Sequence, residues 1–350
     1  MVPTHVYAIV PARDEVVLDM PGVDKHTVHA VTNGDLAAVV SPTSLSDYRG
    51  LKREDAVHFL LAHQCVVDAV MRQSSVLPVK FGTVLRGEAK VRRLLTQGQN
   101  LFQATARKLA DRVQIELVVT WDSQKVLQEI AREEPIAKLK AQMESRLDEQ
   151  TTADRIALGQ MVHSSIERRR AAVRERLLPD LQQCVLDTVV NPLLDESMVA
   201  NLALLVDQGG RKALELRVEE LDEQWEGKLT FRLVGPLPPY SFASVDVRTP
   251  SFDEVDRARK LLKLDEKATL DEIKRAYRAL AAEAHPDHNP DSPEAEECMS
   301  ELSKAHVLLT DYAESWALEE GNSHETACSF DRRSVENMLL ISVRKQESHT

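Results

Sequence analysis

The sequence predicts an α+β chain: two ferredoxin-like α/β sandwich halves joined by a long helical segment, then a small all-α helical module. Three observations predict it. Short apolar runs bounded by turn residues alternate with helical stripes in residues 1–122, and again in 191–248. The stretch between them, 123–190, is densely charged with helical periodicity. Residues 253–315 hold three helical stripes with their own capping signals, and the tail 316–350 is polar enough to be partly disordered.

The elements follow in order. His5–Val10 reads as a strand, and Thr27–Val31 and Leu36–Val40 flank Asn33-Gly34, a hairpin signal. Residues 54–72 have a helical stripe of Val57, Leu60, Leu61, Cys65 and Ala69. Residues 75–85 return to extended chain, where Pro78 lacks a ladder donor and so belongs at an edge or a bulge. A helix over 88–110 leads to a strand at Val113–Trp121, and nothing in the pattern says whether that strand shares a sheet with Ser197–Val206.

In the middle, Arg168-Arg169-Arg170 is flanked by Glu167, Glu175 and Asp180, so a salt-bridged helix face fits better than a phosphate-binding patch. Pro179 should end or kink that helix. A helix over 210–223 presents Leu214, Val218 and Leu221 on one face, and a strand over 225–234 should stop at Gly235-Pro236-Leu237-Pro238-Pro239. In the module, Val255, Ala258, Leu261 and Leu262 mark the first helix. Thr269-Leu270-Asp271-Glu272 caps the second, which carries Ile273, Ala276, Tyr277, Leu280 and Ala284. The third has Cys298, Leu302, Ala305 and Leu309. Residues 335–343 suit either a short helix or an added strand.

Bulk properties narrow the function classes. The 350 residues are 43% hydrophobic but only 4% aromatic, so aliphatic side chains build the cores. A net charge of −12 disfavours general nucleic-acid binding, because such a chain repels the phosphate backbone. No apolar stretch approaches the ~18 residues of a membrane helix, and the N-terminus lacks the pattern of a signal peptide. Cys65, Cys184, Cys298 and Cys328 form no CxxC pair, which suits a reducing cytoplasm; Cys65 and Cys298 fall on apolar helical positions. There is no phosphate loop, GxGxxG, Gly-x-Ser-x-Gly or HExxH, so no catalytic residue, cofactor or metal site is assigned, and His285 with His288 has no third ligand nearby.

Two sets of motifs carry resemblances. Tyr7-Ala-Ile-Val10, Leu36-Ala-Ala-Val-Val-Ser41, Val76-Leu-Pro-Val-Lys-Phe-Gly-Thr-Val-Leu85 and Gly235-Pro-Leu-Pro-Pro-Tyr-Ser-Phe242 resemble, in that order, the GvpF/GvpL family of gas vesicle accessory proteins over residues 5–245. Leu237 stands where an aromatic is common. Pro78, Phe81, Gly82, Thr83, Gly235, Pro236, Pro238, Pro239, Tyr240 and Phe242 are the motif positions, structural or partner-binding. Arg257–Leu264, Asp271-Glu-Ile-Lys-Arg-Ala-Tyr-Arg278 and His285-Pro-Asp287 resemble the J domain of DnaJ-type co-chaperones.

The first resemblance implies a non-enzymatic, cytoplasmic, vesicle-associated factor. It would bind the hydrophobic shell subunit, limit its aggregation, and help nucleate or assemble the shell with other vesicle accessory proteins. The second implies that His285, Pro286 and Asp287 engage a DnaK-type ATPase, with Lys274, Arg275 and Arg278 steering the acidic partner. Against this, Ala281-Ala-Glu-Ala284 lacks the lysines and aromatic that often precede the motif. Residues 253–315 also hold 9 Lys/Arg against 16 Asp/Glu, a net of −7. A J-like fold kept for packing, and a dedicated co-chaperone for another client, are the alternatives.

Overall fold

The computed structural model describes residues 2–12, 18–45, 47–48, 50–144, 152–284, 293–320 and 326–348. It divides into two compact units. One combines Met1–Ala110 with Ala243–Arg344, and the other Asp111–Phe242 with Lys345–Thr350.

In the first unit, β1 (Pro3–Pro11) is buried from Thr4 to Val10, as its unbroken apolar run requires. Its neighbours are β2 (His29–Asn33), β3 (Leu36–Pro42), β4 (Leu77–Pro78) and β5 (Val84–Arg86), all antiparallel, in the order β2-β3-β1-β4 with β5 also on β1. The hairpin forms at Asn33-Gly34, with Gly34 at φ 59°. Pro78 sits in the edge segment opposite Ala8, where its missing N–H costs the ladder nothing.

Helix α1 (Arg53–Met71) spans the expected residues but turns its other face inward. His63, Val66, Val67 and Val70 are buried, whereas Val57 is 46% and Leu61 54% exposed, and Cys65 is exposed. Both sets repeat at helical spacing, so periodicity alone does not say which one meets the sheet. The helix expected over 88–110 is two, α2 (Glu88–Gln97) and α3 (Gln99–Leu109), broken at Gly98. A β-carbon on Gly98 would occupy the place of the buried Phe102 ring.

The second unit is one sheet. β6 (Arg112–Trp121), helices α4 (Ser123–Ile130), α5 (Glu134–Glu144) and α6 (Thr152–Gln182), β7 (Asp187–Val190), β8 (Met198–Asp207), helix α7 (Arg211–Gln224) and β9 (Leu229–Leu237) follow in order. The strands assemble antiparallel as β7-β8-β6-β9. So β6, grouped by sequence with residues 1–122, lies instead at the centre of the second sheet, where nine of its residues pair with β8. Val173, Leu177 and Leu181 of α6 and Leu214, Val218 and Leu221 of α7 share a core with Leu117, Leu202 and Leu204.

Two expected proline stops are corrected. Helix α6 continues past Pro179 to Gln182, because Leu177 and Leu181 on either side stay packed in the core. Strand β9 runs through Gly235-Pro236 to Leu237 rather than stopping. The register against β6 shifts between Gln114 and Glu116, so the two residues sit in a bulge where no ladder donor is needed, joined by a cis peptide bond. At the other end, β9 begins at Leu229, since Glu226 and Gly227 turn the chain in the left-handed region.

The arginine patch is salt-bridged. Arg169 meets Glu129 at 2.6 Å and Glu133 at 2.9 Å. The buried Arg170 pairs with Glu167 at 2.7 Å and donates to the carbonyls of Met198 and Glu196 at 3.0 and 3.1 Å.

Back in the first unit come β10 (Ser244–Arg248), α8 (Phe252–Leu261), β11 (Lys267–Ala268), α9 (Leu270–Glu283), α10 (Pro293–Glu320), β12 (Cys328–Ser329), α11 (Arg332–Asn337) and β13 (Leu340–Arg344). Residues 326–348, expected to be partly disordered, are ordered: β12 pairs with β11 and β13 with β10. The choice between helix and strand over 335–343 resolves as both, because Met338 leaves the helix in extended conformation.

Gly235 makes the bulge testable. Its φ is 144°, and a β-carbon there would lie 2.9 Å from Ile115 Cδ1 and 3.0 Å from the Gln114 carbonyl. Gly235→Ala is expected to cost about 1–3 kcal/mol, read as a lowered urea midpoint. Gly209→Ala, with open space around it, is the control. Equal midpoints would mean the bulge tolerates a side chain.

Candidate functional site

The helical module is the first candidate. Helices α8 and α9 each open with a capping box, Ser251 with Glu254 and Thr269 with Glu272, in which side chain and backbone exchange hydrogen bonds. On α9, Leu270 and Ile273 are buried, and Ala276, Tyr277, Leu280 and Ala284 pack beside them against Leu302, Ala305 and Leu309 of α10. The packing stripe of α10 begins at Leu302; Cys298, one turn earlier, is exposed. The Tyr277 ring stacks on His306 at 4.2 Å, and its hydroxyl lies 3.2 Å from Ser303 Oγ. Burial, with the Lys274 charge, holds His306 below its ordinary pKa.

This packing leaves one face of α9 outward. Arg275 and Arg278 are exposed and Lys274 half-buried. Among the described residues no carboxylate forms an ion pair with any of the three; Arg278 Nε donates to the Lys274 carbonyl at 3.2 Å. Uncommitted cations on a rigid helix are suited to meeting an acidic surface. The helix ends at Glu283 with Ala284 as its cap, and His285, Pro286 and Asp287, which follow, lie outside the described residues.

A second group surrounds Phe81. The Val79 amide donates to the Tyr7 carbonyl at 2.9 Å and the Val6 amide to the Thr83 carbonyl at 3.0 Å, so residues 79–83 bow outward between β4 and β5. Thr83 Oγ1 donates back to the Lys80 carbonyl at 2.8 Å, and Gly82 turns at φ 89°. Phe81 packs against Tyr48, His63 and His5, with ring centroids 4.9, 5.6 and 6.0 Å away.

Sequence reasoning missed the polar core here. His5 Nε2 and His63 Nδ1 share a 2.9 Å hydrogen bond with both rings buried, so one ring donates and the other accepts. Tyr7 Oη beside them accepts from the Val23 amide and lies 2.7 Å from Ser41 Oγ. The signal, a histidine in an otherwise apolar strand and another on a helix, was too common to single out. Burial lowers His63 to about 4. Burial and the neighbouring His63 lower His5 as well. Burial raises Tyr48 to about 12.

The third group lies in the other unit. Pro238, Pro239 and Phe242 are buried, the Tyr240 and Phe242 amides turn back on the carbonyls of Pro238 and Pro239 at 2.7 and 3.0 Å, and the Ser241 amide donates to Gln114 Oε1 at 2.9 Å. These contacts make the segment a packed corner of its own unit.

The GvpL/GvpF gas vesicle synthesis protein model matches residues 3–244. The chain belongs to that family. A DnaJ domain model matches residues 259–315. Gas vesicle protein F of Dolichospermum flosaquae is 25% identical over 249 residues, 70% of this chain and 99% of that protein. That of Microcystis aeruginosa is 23% identical over 245 residues, 69% of this chain and 98% of its own. DnaJ homolog subfamily C member 5 of Homo sapiens is 53% identical over 51 residues, 15% of this chain and 26% of that protein. The crystal structure of the gas vesicle protein GvpF from Anabaena sp. PCC7120 shares the fold, with a TM-score of 0.55 at 20% identity over 69% of this chain and 95% of its own. Its counterpart from Microcystis aeruginosa gives 0.54 at 22% identity, over 69% and 98%. Those relatives account for the GvpL/GvpF part almost from end to end, and the J-like module lies beyond it.

The histidine pair yields a pH dependence. Folded His5 and His63 take up protons at lower pH than the unfolded chain does near 6.5. For His63, between about pH 6.5 and 4, the unfolded chain binds more protons, so stability is lost as the pH falls, by up to about 1.4 kcal/mol per unit, and His5 acts in the same direction. Replacing the pair, His5→Phe with His63→Leu, should flatten the fall in urea midpoints measured from about pH 7 to pH 5. The same slope in both proteins would acquit the pair.

Proposed function

We propose that this chain is a non-enzymatic assembly factor for gas vesicles that brings a DnaK-type chaperone to the hydrophobic shell subunit. The observation that carries the reading is the joining in one chain of a gas vesicle synthesis region, residues 3–244, to a DnaJ domain, residues 259–315. A subunit destined for a gas-filled shell exposes apolar surface before it assembles, and exposed apolar patches and unpaired strand edges aggregate. In this reading the GvpL/GvpF region holds that subunit soluble and helps nucleate the shell with other vesicle proteins. The J-like module engages the chaperone through His285, Pro286 and Asp287, steered by Lys274, Arg275 and Arg278. The outward, uncommitted cations of α9 support the second half. The work takes place in the cytoplasm at the vesicle surface and needs no cofactor. No helix among the described residues is long and apolar enough to cross a membrane.

Two measurements test it separately. Immobilised full-length protein should retain the shell subunit from a co-expressing lysate, and a scrambled bait should not. His285→Gln should lower stimulation of the chaperone ATPase at least ~10-fold, equivalent to about 1.4 kcal/mol, with subunit retention unchanged. Failure of retention would move the client elsewhere; normal stimulation by the variant would leave the module a packing element.

A further inference from the structure

The J-like module does not hang from the end of the GvpL/GvpF region. It leaves through β10 and returns through β13, and those two strands pair with each other from Ser244–Arg344 to Arg248–Leu340. Asp311 on α10 ties both strands to the helices, accepting from Arg248 at 2.7 Å and Arg344 at 2.8 Å. The two ends of the excursion are therefore closed at one place.

That place is fastened to the N-terminal α+β domain within the same unit. The Lys80 amide donates to the Val245 carbonyl at 2.8 Å, and Lys80 Nζ to Asp246 at 3.0 Å. Gln97, at the end of α2, is 6% exposed. Its Nε2 donates to the carbonyls of Leu339 at 2.9 Å and Ser315 at 3.2 Å. Ser315 Oγ in turn accepts from the Ile341 amide at 2.9 Å. Both carbonyls that Gln97 reads belong to the part of the chain beyond residue 244, where the family match ends. A buried amide deprived of its acceptors carries a desolvation cost, so Gln97 favours one placement of the module over others.

We propose that Gln97 and the β10–β13 pair form a clamp that holds the J-like module at a fixed bearing on the N-terminal domain. Through the clamp, a chaperone bound to α9 acts at one place on the client rather than anywhere within reach of a linker. A flexible tether raises local concentration but sets no direction; a clamped mount sets both. The functional half of this inference rests on the assembly reading above, whereas the clamp itself stands on the contacts just described.

The test uses full-length protein carrying Gln97→Leu together with Ser342→Pro. The Ile341 amide points to Ser315, so by strand alternation the Ser342 amide points to β10, and proline there removes a ladder donor. Single Gln97→Leu keeps the strands intact and guards against a general folding defect. Three quantities are read: hydrogen exchange at the β10 and β13 amides, chaperone ATPase stimulation, and the yield of floating gas-filled particles. In the double variant the strand amides should exchange at least ~100-fold faster, the signature of a local opening. Stimulation should stay within about twofold of wild type, because α9 is untouched, and particle yield should fall at least ~10-fold; the single variant should fall between.

Unprotected strand amides in the wild type would overturn the clamp whatever the vesicle result. Full particle yield from the opened variant would overturn its role in assembly. Loss of stimulation with the strands opened would overturn the separation of the two activities. If even the wild type fails to stimulate a chaperone, the assembly reading loses its chaperone, and the exchange measurement still decides the clamp.

Discussion

The first unit depends on β1 having three partners on two edges. β3 pairs along one edge, and β4 and β5 divide the other, with Pro78 opposite Ala8 and Val84 opposite His5. Two short strands on one neighbour leave a loop between them, and residues 79–83 have to bow outward. The Val79 amide is spent on β1, and by alternation the next one, that of Lys80, faces the other way and donates to Val245. The run with Pro78, Phe81 and Gly82 thus has a structural reason: it opens the edge of one sheet so that β10 finds an acceptor and a donor there. The same bow carries Phe81 over the His5–His63 pair, which closes a polar core inside an otherwise aliphatic domain.

Charge is sorted in the same way. Arg169 and Arg170 look on paper like a phosphate site, but each is committed, one to two glutamates and the other to a glutamate and two carbonyls. Exposed pairs of this sort contribute about 0–1 kcal/mol each; Arg170, buried and multiply bonded, matters more for fixing α6 over the end of β8. Lys274, Arg275 and Arg278 form no ion pair among the described residues. In the same module Arg248, Arg259, Arg332 and Arg344 each meet a carboxylate, so the three cations of α9 stand out from them.

The sequence made most elements legible and misplaced several of their allegiances. Hairpin, second-helix capping box and the α7 stripe follow from local chemistry: Asn33-Gly34, Thr269 with Glu272, and Leu214 with Val218 and Leu221 act within a few residues of themselves. What failed was decided at a distance. β6 reads as a strand but gives no sign of which sheet it joins, because its partners lie some 80 and 110 residues downstream. Helix α1 offers two apolar faces and only the sheet chooses between them. Pro236 reads as a terminator until β6 supplies a bulge in which its missing donor is not needed. In the candidate site, Lys274, Arg275 and Arg278 were legible because a helix face is a local property. Gln97 was not, since one glutamine among many polar residues acquires meaning only when Ser315 and Leu339 arrive.

That contrast bears on how two modules become one machine. A J-like module joined by a linker would need nothing from α2, and residue 97 would face water or an aliphatic core. A buried glutamine reading two main-chain carbonyls is a poor choice for either setting, since its Nε2 finds those acceptors only when the module is in place. The same holds for Asp311, which gathers one arginine from the outgoing strand and one from the returning strand. Polar groups that are satisfied only in the joined state make joining specific rather than merely adhesive. The module therefore belongs to the body of the protein, and the direction in which α9 presents its cations is a property of the fold.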